Sequence, residues 1–274
     1  MIARSTLSRC VIVSLSLFVA VNQNAASAQQ APVIAAQTET PSFEVASIKP
    51  SRPDDTHRGW DDLPGRISIE NYTLRQIIMV AYGLKSDSQV TGGPKWIDSL
   101  RFDIAAKADD TETEKMQKMT REQSHIERSL MLQSLLADRF QLKLTRSQQI
   151  IPVYALVIVK SGIKFTPASV ESNHHLSVDG THMTASGISM DVLADYLTGL
   201  PESGNRLIVN QTGLAGNYDF KLNWTRDRGI DVPPDAPYPG LFTAIHEQLG
   251  LKIESRKGSV PVVNIGSAVE PVFD

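Results

Sequence analysis

One relation within the chain constrains its fold more than any other: the sequence reads twice. Residues 72–84, YTLRQIIMVAYGL, lie over residues 188–200, ISMDVLADYLTGL, at an offset of 116. Thr73 falls on Ser189, and a hydroxyl at either place suits a helix N-cap because it accepts an otherwise orphan N–H. Ile77 falls on Leu193 and Ala81 on Leu197, at helical spacing. Gly83 falls on Gly199, which suits a left-handed helix stop. The same offset carries RISI (66–69) onto HMTA (182–185) and RFDI (101–104) onto NYDF (217–220). Each half is expected to run strand, helix, glycine-rich loop, strand.

A second unit follows at an offset of 109, where LMLQSLLADRFQLKL (130–144) matches LFTAIHEQLGLKI (241–253). Both read as amphipathic helices running into strands. PVYALVIVK (152–160) and VPVVNIG (260–266) are expected to close the two halves. The first half inserts a helical lead, Thr111 to Arg128, and the second inserts Asp227 to Gly240, an extended loop with four prolines. The expected fold is α+β, built from two related β-α-β-α-β halves by internal duplication, residues 42–168 and 169–274.

The N-terminus predicts export. Arg4 and Arg9 precede the apolar run CVIVSLSLFVAV (10–21), which is short for a membrane span, and Ala26-Ser27-Ala28 follows as a small-x-small cleavage site. Residues 1–28 read as a signal peptide and 29–41 as a flexible leader. Cys10 has no small cleavage residues before it, which argues against a lipoprotein anchor. Cleavage removes this single cysteine and two arginines, and takes the formal net charge from −3 to −5. The exported chain then has no disulfide and relies on core burial. An acidic balance disfavours nucleic acid as a partner, and no later segment is apolar for long enough to span a membrane.

Catalytic signatures are missing from the sequence. The six histidines show no HExxH or similar ligand spacing, so no metal and no cofactor is expected. Asp103 and Asp219 occupy matched positions and in principle offer an acid/base pair. Strand alternation explains them more simply, with Phe102, Ile104, Tyr218 and Phe220 inward and both carboxylates in solvent. The stretch VTGGPKWIDSLRFDI (90–104) has its counterpart in VNQTGLAGNYDFKL (209–222) and reads as a structural connection. Trp60 and Trp96 break the repeat, since Leu176 and Thr212 stand at the matched places. Both are placed in polar loops and are the candidate binding residues. Trp224 reads as structural.

The series PSFEVASIKPS, TLRQIIMVAYGL, VTGGPKWIDSLRFDI, LMLQSLLADRFQLKL, IPVYALVIVKSGIKF and NQTGLAGNYDF resembles a secreted, paralogous family of soil bacteria, known as a domain of unknown function. That resemblance covers Pro41 to Pro271 and carries over no catalytic residue. Related domains occur fused to membrane zinc peptidases of the beta-lactam-sensor type, which implies a sensing or interaction role outside the cytoplasm. The expected function is that of a non-enzymatic exported binding module, periplasmic or extracellular, whose partner is an envelope protein, a peptide or a glycan. The alternatives are a hydrolase acting on envelope or environmental polymers and a purely structural role.

Overall fold

The computed structural model describes residues 40–169, 174–226, 232–233 and 235–273. The expected signal peptide, nearly all of the expected leader and part of the proline-rich insert lie outside the described residues. From Thr40 onward the chain forms one compact unit.

In chain order the first half contains β1 (Val45–Pro50), β2 (Gly59–Leu63), β3 (Arg66–Thr73), α1 (Leu74–Ala81), β4 (Val90–Gly92), β5 (Arg101–Lys107), α2 (Asp110–Gln117), α3 (Arg121–Arg139) and β6 (Lys143–Ile158). The second half contains β7 (Thr166–Pro167), β8 (His175–Asp179), β9 (His182–Ser189), α4 (Met190–Thr198), β10 (Ile208–Asn210), β11 (Asn217–Asn223), α5 (Leu241–Ala244) with a π-helical turn Ile245–Leu249, and β12 (Leu251–Ser267). The fold class is α+β.

Two outer sheets repeat one arrangement. The first has the order β1-β5-β3-β2 and the second β7-β11-β9-β8. The offset of 116 holds in the register itself: Trp60 pairs with Ile69 in the first sheet and Leu176 with Ala185 in the second. Period-two burial makes these strands. Ile67 and Ile69 of β3 turn inward while Arg66 and Glu70 stay exposed. At the end of β3 the period changes. Thr73 caps α1 reciprocally with Gln76, and Leu74, Ile77, Ile78 and Ala81 turn one helical face into the core. Ser189 caps α4 from one side only, accepting the Val192 N–H at 3.3 Å, since the valine has no side-chain acceptor to return the bond. Phe102 and Tyr218 are both buried at their matched places.

Four expectations are corrected. Gly83 takes φ +65° after α1, but Gly199 stays right-handed at φ −75°, because the chain winds straight on into a 3-10 turn, Pro201–Ser203. The helical lead is not continuous: α2 ends near Lys118, and Thr120 starts α3 with its own capping box. Trp60 lies within β2 and Trp96 within a 3-10 turn, Lys95–Asp98, so neither sits in a loop. The closing strands do not close separate halves. β6 and β12 pair with each other, antiparallel, from Ile158↔Leu251 to Lys143↔Ser267.

The short strands then cross over. β4 of the first half runs parallel to the end of β12, and β10 of the second half runs parallel to the end of β6. Each long strand therefore begins in one core and ends in the other. The first core takes Leu144 from the start of β6, with Leu142 just before it, and Val263 and Ile265 from the end of β12. The second takes Leu251 and Ile253 from the start of β12, and Leu156 and Ile158 from the end of β6. Between them Val153, Leu207, Val260 and Val262 form a small middle cluster.

Candidate functional site

The matched carboxylates have a structural task. At Asn71 and Gly187 the strands β3 and β9 bulge, with φ of +62° and +67°. Each bulge turns a backbone N–H toward the neighbouring strand. Asp103 accepts the Asn71 N–H at 2.9 Å, and Asp219 accepts the Gly187 N–H at 2.7 Å. Asp103 also accepts the Ser51 hydroxyl at 2.5 Å. The two aspartates are half-buried rather than free in solvent, and they lie in different outer sheets. Each is bonded within its own sheet, which removes the acid/base pairing that their symmetry suggested. Where the second half has Gly187, Asn71 adds a side chain whose Nδ2 donates to the Asp55 and His57 carbonyls at 2.7 and 2.8 Å, folding the loop before β2 onto the sheet.

The tryptophans are half-buried against the first core. Trp60 stands edge-on to Tyr72 at 5.3 Å, and the Arg58 guanidinium lies over the Tyr72 ring, 4.3 Å from its centre. Trp96 stands edge-on to Phe102 at 6.2 Å. Each thus anchors its own segment to the core. The stretch 90–104 runs from β4 through the 3-10 turn into β5, and Arg75 of α1 ties it down by pairing with Asp98 and donating to the Val90 carbonyl at 2.7 Å.

Among the described residues no three His, Cys, Asp or Glu side chains are grouped to hold a metal ion. His174 and His182 direct Nδ1 to the Gly187 carbonyl and to Asn223 Oδ1, at 2.9 and 2.8 Å. No helix of the described residues is long and apolar enough to cross a membrane.

The described residues form several concavities. One, about 560 Å³, is walled largely by the proline-rich insert, with Tyr238 facing Glu202 and Phe242 across it. Its carboxylate is already engaged, accepting the Trp224 indole N–H at 3.2 Å. Burial pushes the nearby Tyr196 hydroxyl above its ordinary value, opposed by the Arg226 charge and assisted by the Glu202 charge.

Another is a groove of about 610 Å³ across the solvent face of the first outer sheet. Its floor is one cross-strand row, Ser47–Ala105–Ser68–Asp61. Three of these four side chains are small, which sets the depth. One wall is the next row, Val45, Lys107, Arg66 and Leu63, where Val45 and Leu63 are 63% and 60% exposed. Beyond the floor a second hollow of about 310 Å³ continues past Lys49, Glu70 and Asp103. In the second outer sheet the matched floor positions carry Lys221, Thr184 and Ser177, so a lysine stands where Ala105 leaves space. The groove was missed in the sequence because small outward residues form a floor only when their strands are neighbours, and that order is β1-β5-β3-β2.

Comparison with the curated proteins and with the solved structures finds no match. A family described as "Protein of unknown function (DUF3738)" matches residues 75–268, from the start of α1 to just past β12. The chain belongs to that family.

Proposed function

We propose that this protein is an exported, non-enzymatic binding module whose ligand lies in the groove of the first outer sheet. The observation that carries the reading is the Ser47–Ala105–Ser68 floor. It keeps a grooved surface open in one sheet while Lys221 occupies the matched place in the other. A wall of two cations between two exposed aliphatic side chains fits an extended peptide of an envelope protein better than a glycan, which favours flat aromatic faces. The resemblance to domains joined to membrane peptidases supports the same interaction role.

Ala105→Lys tests the groove. It places at the floor the residue that Lys221 already supplies in the second sheet, so the melting temperature is expected to hold while capture from the native envelope fraction falls at least tenfold. Unchanged capture by the folded variant overturns the groove as the binding site. Trp60→Ala and Trp96→Ala, read in the same way, decide whether either tryptophan contributes to binding: capture must fall by more than the loss of melting temperature accounts for.

Export is part of the proposal and rests on Arg4, Arg9, the apolar run and Ala26-Ser27-Ala28. N-terminal sequencing of the protein from the periplasmic or culture fraction is expected to begin at Gln29. Met1 retained on a membrane-bound chain overturns it.

A further inference from the structure

The long strand β6 has an unguarded edge. From Thr145 to Ile150 every residue is exposed, and Ile150 is 73% exposed. Beyond this stretch, β10 occupies the edge: the Tyr154 N–H donates to the Leu207 carbonyl at 2.8 Å and the Leu156 carbonyl accepts from Gln211 at 2.9 Å. These bonds show that even-numbered residues of β6 turn their backbone groups away from β12. The β6–β12 register is unbroken from Ile158 back to Leu144, so Leu144, Arg146, Gln148 and Ile150 present N–H and C=O groups outward as well. Among the described residues none of these groups meets a backbone partner.

Proteins usually blunt such an edge with charge or proline. The matching stretch of β12 does so. At the offset of 109, Arg256 and Lys257 stand where β6 has Ser147 and Gln148. Between Arg146 and Pro152, β6 carries no charge at all. Arg146 itself is turned onto its own molecule, 4.7 Å from the Tyr82 ring centre and donating to Gln133 Oε1 at 2.9 Å.

We infer that the β6 edge pairs with the β6 edge of a second copy of this chain, antiparallel about a two-fold axis at Ser147. That register sets Ile150 beside Leu144 of the second copy and Arg146 beside Gln148 of the second copy. It matches the apolar residues with each other and sets no two like charges directly opposite, and the two Arg146 side chains, diagonal neighbours across the axis, are each drawn onto Tyr82 and Gln133 of their own molecule. A two-fold at Gln148 instead sets Ile150 against Arg146. An acidic or basic peptide finds no charge in Ser147–Ile151 to select it, whereas the strand is complementary to itself. Pairing stops at Pro152, which has no N–H to offer, and β10 blocks the edge beyond. The contact is isologous and closes at two copies rather than growing into a filament.

Sedimentation of the purified full chain from low to high micromolar concentration reads the result. The wild type is expected to pass from one chain to two with rising concentration. Ile150→Lys restores a guarding charge, and Ile150→Pro deletes one outward donor without touching the β6–β12 ladder. Each is expected to raise the dissociation constant at least tenfold with unchanged circular dichroism. Should the proline variant misfold, the lysine variant at this exposed position decides alone. A wild type that stays monomeric at every concentration overturns the inference, and so does a dimer that the folded variant leaves intact.

Discussion

Phe102→Ala is expected to lower the free energy of unfolding by about 3–5 kcal/mol, the range for a buried phenylalanine truncated in a well-packed core. Phe102 is 1% exposed on β5. Its ring meets Phe140 edge-on at 5.2 Å and Trp96 at 6.2 Å, so one truncation removes contacts to the end of α3 and to the 3-10 turn together. The surrounding side chains come from strands and helices fixed elsewhere, which limits how far the cavity can collapse. For a chain of this size each kcal/mol corresponds to roughly 2–4 °C of melting temperature. Urea denaturation is the direct measurement. A loss below about 1 kcal/mol contradicts the packing described for this ring.

Gly250→Ala is the second large effect. Gly250 stops the π-helical turn at φ +66° and starts β12. A methyl group there lies 2.1 Å from the Gly162 carbonyl oxygen and 3.1 Å from Ile163 Cα, backbone atoms that cannot rotate aside. The left-handed conformation alone costs an alanine roughly 1–2 kcal/mol. The clash also displaces the turn held by Val159 N–H to the Gly250 carbonyl and Lys164 N–H to the Leu249 carbonyl, both 3.0 Å. The expected loss is about 3 kcal/mol or more. The matched position in the first half is Gln141, which reaches φ +46° with a side chain in place. Gln141→Gly is therefore expected to change stability by less than about 1 kcal/mol. Equal small effects at the two sites show that the Gly162 contact does not constrain the turn.

The repeat was legible because its signals are local. A hydroxyl before an apolar helical period marks Thr73 and Ser189 as caps, and alternation around Phe102 and Tyr218 marks the inward faces of β5 and β11. What depends on neighbours was not legible. The bulges at Asn71 and Gly187 exist only relative to adjacent strands, so the aspartates facing them read as solvent residues. The first part of β6, TRSQQ, is polar on both faces and carries no period; it is a strand because β12 pairs with it. β4 and β10 are three residues each, too short for any pattern, and their exchange between halves follows from which long-strand end each meets. The groove floor of Ser47, Ala105 and Ser68 is invisible for the same reason.

The crossing of the long strands has a consequence for the order in which the molecule can assemble. The first core begins with Ile48 and is completed by Val263 and Ile265, and Gln89 reaches the Pro261 carbonyl across 172 residues of chain. Synthesis from the N-terminus makes Ile48 and Gln89 long before Val263, Ile265 and Pro261. Until the last strand emerges, the first half has an unfilled seam where β12 belongs. Such long closures slow folding, so neither core is complete until β12, which supplies residues to both, has been made.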